Sequence, residues 1–584
     1  MKYFFYNNYK KVLLFFASFL GIVGITNYYE LFSDSVVLNN IFNIIFMVCI
    51  YKLYEKCSFK NKLNVIFSCI LSFVLGILLV IGAQLDLYSE IIWSFFTLLK
   101  FLLLAIVIFP FILNIIEFLD TLEKGKKVNS SKQRFLIVFA IIMFANFFAF
   151  LALYPGMYGY DAGFQILMFF DKTVDYTNHF SLVYSSFLSS CIYIGKSLFN
   201  SNVAGLAIYS FIQMTIMAYI VTRICAFSFK LTYNKYLFYF SIFFFSFFPL
   251  YLVMVLSTAQ DTLFAGIFAL LIIILIEQSM ERRKINYLKL FLLSFLLCVS
   301  RNNGYFALIV AIILILIFNR KKNFSTVFIL MSGMILFNIF TGPIYDLIGV
   351  KKESAVKEAS SIFSQQLARV YNYNYDVLTK DNIKNYKKYY DLKGFTYYNT
   401  NQSISDPIKS LLKVSAVDDN IFDYILFWAK VGLKDPKNYI EACFLNNLGV
   451  WYPNKMYNDS RMYHPYIEYN MLDAKYWNKK YEVIKRHSLF PSYNKLLRTV
   501  VYDNYWQKIP VISIFFEASS YFILFLFSFG IVIIKKKKVF FNAALLIFGL
   551  YFTIFLSPVS LFRYSFPIVI IFPILFSMLL KKEN

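Results

Sequence analysis

The stretch "FLIVFAIIMFANFFAFLALYPGMYGYDAGFQ", Phe135 to Gln165, decides the fold. As far as Leu153 it carries no charge and is long enough to cross roughly 30 Å of hydrocarbon as a helix. Pro155 and Gly156 then favour a turn, and a single carboxylate, Asp161, follows among glycines and tyrosines. A chain that leaves the bilayer and at once places a lone acid there needs a reason for it.

The rest of the chain is of the same kind. Of 584 residues, 59% are hydrophobic and only 15% charged, with 70 Phe and 46 Tyr, which excludes an ordinary soluble domain. The formal net charge of +24 is not read as a nucleic-acid surface, because basic residues of a polytopic protein collect in cytoplasmic loops. The seven cysteines form no CxxC pair and no disulfide framework. The N-terminal apolar run lacks a cleavage site and is read as the first helix.

Apolar runs of spanning length fall near 12–29, 36–54, 63–84, 90–116, 134–153, 203–224, 233–256, 263–280, 285–300, 304–318, 324–342, 510–534, 539–556 and 564–580. The reading is an all-α polytopic membrane protein of about fourteen transmembrane helices. Basic clusters occupy every second turn: Lys52 to Lys62, Lys124 to Arg134, Arg223 to Lys235, "ERRK" at 281–284, "NRKK" at 319–322, "KKKK" at 535–538 and Lys581/Lys582. The turns "ELFSDS" and "QLDLYSE" hold none. Both termini are therefore expected in the cytoplasm, Asp161 outside, and the chain in the plasma membrane. This alternation requires that 180–198, with serines among its apolar residues, stay in the outer interface without crossing.

Four regions follow: N-terminal transmembrane helices at 1–133, a transmembrane core at 134–344 with an outer loop at 154–200, a polar and mainly helical extracytoplasmic domain at 345–509, and C-terminal transmembrane helices at 510–584. On this topology the unusual polar residues gather on the outer side: Asp161, Gln165, His179, Gln260, Asp261, Arg301, Asn302 and Arg563. Ionisable groups at span ends line cavities or pair with one another. Two acids, two arginines and a histidine on one surface point to an anionic substrate with an acid or base beside it. Each also has a plainer reading. Asp161 and Asp261 suit helix N-caps, Arg301 and Arg563 suit interfacial anchors, and His179 a surface position. Gln165, four residues after Asp161, shares its helix face. Location on one face is what favours a site, since caps and anchors belong at both.

The order of these features, an early outer acid, a stretch with a His, a second acid and a late Arg-Tyr, resembles the GT-C superfamily of polyprenyl-phosphate-dependent membrane glycosyltransferases. More closely, "YPGMYGYDAGFQ", "NHF", "RNNG", "SQQLARV" and "FRYSFP" resemble a family of Gram-positive bacterial membrane proteins related to that superfamily, from about residue 134 onward. The resemblance implies Asp161 as general base, Asp261 as the second-loop acid, and Arg563 with Tyr564 near a lipid phosphate. Phe180 stands where the family has proline after the histidine. Gln260 before Asp261 removes the Asp-x-Asp pair, so no divalent metal is implied, and no cofactor beyond a lipid-linked sugar donor. The implied partners are membrane lipid, a polyprenyl-phosphate sugar, and a glycan, glycolipid or protein acceptor.

The chemistry is coherent without the resemblance. A polyprenyl-phosphate sugar brings its own leaving group, so one base and a cation suffice for inverting transfer. A lipid-linked glycan flippase or transporter, a polysaccharide polymerase or ligase, and a purely structural membrane protein are the competing readings. A transporter predicts charges at the bilayer midplane and broken helices in paired halves.

Overall fold

The computed structural model describes residues 2–29, 41–122, 132–280, 286–352, 354–400, 402–453, 455, 484, 486–509, 511–559 and 561–581. Outside the described residues lie "ELFSDS", the start of the second expected span, Lys124 to Lys127, "ERRK", Lys582 and residues 456–483 of the polar segment. Among the described residues the chain is all helical, with isolated β-bridges and no strand.

The helices that matter are α1 (Lys2–Tyr29), α2 (Ile41–Lys56), α3 (Lys62–Tyr88), α4 (Phe95–Thr121), α5 (Lys132–Ala152), α6 (Tyr160–Phe170), α7 (Leu182–Phe199), α8 (Asn202–Thr232), α9 (Lys235–Phe247), α10 (Pro249–Val255), α11 (Gln260–Met280), α12 (Tyr287–Ser300) and α13 (Asn302–Ile339). There follow α14 (Ser361–Tyr373), α15 (Ile421–Lys434), α16 (Pro436–Asn446), α17 (Ala518–Ile534), α18 (Lys538–Phe555), α19 (Phe562–Ile570) and α20 (Phe572–Leu580). Among the described residues nine helices are long and apolar enough to cross a membrane, or up to eleven if α9/α10, bent by 58°, and α19/α20, bent by 48°, each make one span. This is consistent with a multi-pass membrane protein. The expected fourteen is not reached because α2, α12, α17 and the Asn302–Phe318 part of α13 fall below the usual spanning length, while α7, not among the fourteen, is one of the eleven.

The chain divides into two compact units: 1–123 with 362–455 and 526–536, and 124–361 with 456–525 and 537–584. The polar segment 345–509 is thus shared between them. In the first unit α3 and α4 form a close hairpin, since a Cβ on Gly76 would meet Phe101 O at 2.8 Å. Asn61 caps α3 by accepting from the N–H groups of Leu63 and Asn64. The turn between α3 and α4 is held by the polar segment: Arg369 Nη2 donates to Ser89 O at 2.6 Å, and the Ile91 N–H donates to Glu441 Oε1 at 2.7 Å.

The core of the second unit is α11, apolar on every face and buried along most of its length, as expected of a helix surrounded by others. Gly266 lets α8 approach at Met217 and Ile220. Farther along α8, Ser228 Oγ donates to Pro573 O at 3.0 Å. Helix α13 is helical throughout its 38 residues, yet the rings of Tyr305 and Phe337 lie 5.3 Å apart and Asn338 Nδ2 donates to the Tyr305 hydroxyl at 3.4 Å. A straight helix would hold residues 32 apart by about 48 Å. The chain therefore doubles back between Tyr305 and Phe337, giving the two antiparallel arms that the expected spans 304–318 and 324–342 require.

Helix α7 passes the length and hydropathy criteria for a span, but its contacts show where it runs. Near its start the Tyr184 and Tyr209 hydroxyls are 2.7 Å apart, and near its end Gly195 packs on Gly205. Gln213, the next turn of α8, donates to Val255 O at the end of α10 and to Ser257 O in the loop before α11. From that level α8 runs on beside α11, whereas α7 packs against residues 202–209 on the other side of it.

Candidate functional site

The site is built on two loops joined side by side. Residues after α5 and residues after α10 form a short parallel bridge between Met157 and Ser257. The Met157 N–H donates to Leu256 O at 2.8 Å, the Thr258 N–H donates to Met157 O at 2.9 Å, and the Gly159 N–H donates to Thr258 Oγ1 at 2.7 Å. Gly156 sits at φ +139°, and a Cβ there would collide with Ser210 Oγ, so both backbone conformation and space demand glycine. Pairing the loops brings the first turns of α6 and α11 together. Each first turn carries one acid, Asp161 on α6 and Asp261 on α11.

Two arginines from other helix ends meet these acids. Arg301, between α12 and α13, pairs with Asp261 through its Nη1. Arg563, in the first turn of α19, lies between both acids, its Nη1 3.4 Å from Asp161 Oδ2 and its Nε 3.8 Å from Asp261 Oδ2. Tyr564 adds its ring, with the Arg301 Cζ 4.4 Å and the Arg563 Cζ 5.3 Å from its centroid, a cation–π arrangement. The two acids differ in setting. The Asp261 side chain is 2% exposed and the Asp161 side chain 30%. Asp261 is held by cations; Asp161 also reaches solvent.

Two of the plainer readings do not hold. Neither acid is a cap: α6 begins at Tyr160 with Gly159 at the N-cap, and Asp261 is the second residue of α11. Nor are Arg301 and Arg563 isolated cations, since each pairs with an acid far away in sequence. Asp161, Asp261, Arg301, Arg563 and Tyr564 come together. Gln260 Oε1 instead accepts from the Ser181 N–H at 3.4 Å, at the start of α7. Gln165 is buried, and its Oε1 has no hydrogen-bond partner among the described residues. Asn302 is exposed at the first residue of α13. His179 is exposed on the loop before α7, its ring edge-on to Phe180 at 4.7 Å. Among the described residues no three His, Cys, Asp or Glu side chains gather as a metal site would.

The sequence reading missed the residues that hold the loops. Gln213 spans Val255 O and Ser257 O while accepting from the Tyr209 hydroxyl at 2.6 Å. Its one signal was an amide in the middle of an apolar helix. Residues 486–490, expected in a separate domain, run along the turn after α5. The His487 N–H donates to Tyr154 O and the Leu489 N–H to Leu151 O, both at 2.9 Å. This places Arg486 Nη1 3.6 Å from Met157 Sδ, four residues before Asp161. Nothing local in the sequence marks that return.

A family model, a family of unknown function designated DUF6020, matches residues 88–584. The chain belongs to DUF6020. The match starts at the last residue of α3 and takes in every member of the charged cluster. No curated protein and no solved structure matches the chain, so the DUF6020 assignment brings a family and no activity.

Proposed function

We propose that the protein is a GT-C-like membrane glycosyltransferase, with its site on the outer side of the plasma membrane and both termini in the cytoplasm. It moves a sugar from a polyprenyl phosphate to a glycan, glycolipid or protein acceptor. One observation carries the reading: two acids and two arginines from four separate helix ends meet at one place, and one of the acids stays partly open. A fourteen-crossing arrangement is supported by the doubling back of α13.

The residues divide the work by their settings. Asp261 is buried and ion-paired, so it orients Arg301 and Arg563. Asp161 is the base and accepts the proton of the acceptor hydroxyl. The acceptor oxygen attacks the anomeric carbon from the face opposite the phosphate, the bond from that carbon to the phosphate oxygen breaks, and its electron pair leaves with the phosphate. Arg563 lies 3.4 Å from Asp161 and 3.8 Å from Asp261, beside the base, and is the group assigned to the phosphate. Its planar fork pairs two oxygens at once. Arg301, bound to Asp261 and stacked on Tyr564, keeps the site positive.

The test is transfer of a labelled sugar from a polyprenyl phosphate by the purified protein and by Asp161→Asn. Asn keeps an oxygen for Arg563 but cannot take a proton. The variant is expected to fold normally and lose roughly a hundredfold or more of its rate. Full transfer by a well-folded Asp161→Asn protein would end the proposal.

A further inference from the structure

Helix α15 presents three faces. Tyr424, Phe427 and Val431 are buried in the polar segment of the first unit. Asp423, Lys430 and Lys434 form an exposed charged strip. The third face is exposed and apolar: Ile421, Phe422, Ile425, Leu426 and Leu433, with Phe422 at 70% and Leu433 at 84% exposure. At 100° per residue these five fall within a continuous arc beside the charged strip. A solvated helix gains nothing from such an arc, and contiguous exposed apolar surface marks a contact.

The level of α15 relative to the spans identifies that contact. Only Asp435 separates it from α16, and α16 is fixed to the turn between α3 and α4. Glu441 Oε1 holds the Ile91 N–H, and Lys437 Nζ lies 3.6 Å from Glu90 Oε2. Immediately after that turn Trp93, Phe95 and Phe96 are exposed, at the end of α4, where aromatic residues mark the headgroup level of a bilayer. Exposed Lys430, Lys434 and Lys437, with exposed Asp418, Asp419 and Asp423 beside them, give this edge the mixed charge of a polar headgroup layer.

We infer that α15 is an in-plane membrane helix: its Phe422 to Leu433 face is buried among the lipids of the leaflet that the α3–α4 turn enters, with its lysines at the headgroups. It anchors the polar segment to the bilayer surface at a second place, besides the hydrogen bonds to the α3–α4 turn. This is independent of the catalytic reading.

The test uses the full-length protein in its native membrane, with the photoreactive residue p-benzoylphenylalanine at 422 or 433, and at 423 or 430 as controls. The first two positions are largely exposed, so the replacement does not disturb packing. After illumination, mass analysis is expected to show lipid adducts at 422 and 433, several-fold more than at 423 and 430. A crosslink to a second copy of the chain, a crosslink to another protein, or equal lipid labelling at all four positions would each overturn the inference.

Discussion

The molecule holds two groups of buried charge, one in each compact unit, and they differ in how completely they are satisfied. In the first unit Arg369 and Glu441 are each 1% exposed, and all the guanidinium nitrogens of Arg369 are used. Nε donates to Asn438 Oδ1 at 2.9 Å, Nη1 to the Tyr398 hydroxyl at 3.4 Å, and Nη2 to Ser89 O and Glu441 Oε2 at 2.6 and 2.5 Å. Burial pushes the Tyr398 phenol up to about 12 although Arg369 pulls it down, so at neutral pH it accepts as a neutral group and Glu441 is the direct counter-charge. In the second unit Asp261 Oδ2 has no hydrogen-bond partner among the described residues, with Arg563 Nε 3.8 Å away, and the Asp161 side chain is 30% exposed. A saturated network fixes a fold, because nothing in it is left to bind. An under-satisfied one leaves capacity for a ligand.

Substitutions can break this comparison. The largest loss of stability is expected for Glu441→Ala, which leaves the buried Arg369 charge uncompensated and should cost about 3–5 kcal/mol; thermal unfolding in one detergent measures it, and a small change would contradict the structural role. Asp261→Asn should cost less, about 1–3 kcal/mol, because Arg301 keeps its stacking on Tyr564 and is partly open to solvent. If it cost as much as Glu441→Ala, the two networks would be alike. Arg563→Lys should barely alter unfolding but weaken donor use, seen as a raised KM for the polyprenyl-phosphate sugar; an unchanged KM would return Arg563 to the role of an anchor. Lys437→Ala is the smallest, below about 1 kcal/mol, since Lys437 is itself 46% exposed and its contacts to Glu90 and Glu441 are long, at 3.6 and 3.7 Å. A loss comparable to that of Glu441→Ala would show that the first network extends to the surface.

In sequence the two arginines look alike. "LARV" and "SRNN" each set one cation among uncharged neighbours, and what separates Arg369 from Arg301 is their partners, which lie dozens of residues away. The helices were legible because spanning length and composition are local properties, and the alternation of basic turns placed the acids and arginines on one side of the expected topology. The pairing of Asp261 with Arg301, the sharing of Arg563 between two acids, and the return of residues 486–490 along the turn after α5 depend on tertiary contact. No spacing encodes them. Asp161 and Asp261 passed as helix caps for the same reason: both stand at a helix start, and only the exact first residue of α6 and α11 excludes that role.

We propose that the cluster of the second unit binds a phosphate, with Arg563 as its principal cation. This claim is tested most directly by adding a polyprenyl phosphate to the purified protein and following its unfolding temperature, since a ligand that binds only the folded state raises it. The wild-type protein should be stabilised in proportion to added lipid, and Arg563→Ala, folded and of similar starting stability, should not be. Equal stabilisation of the two proteins would contradict the account.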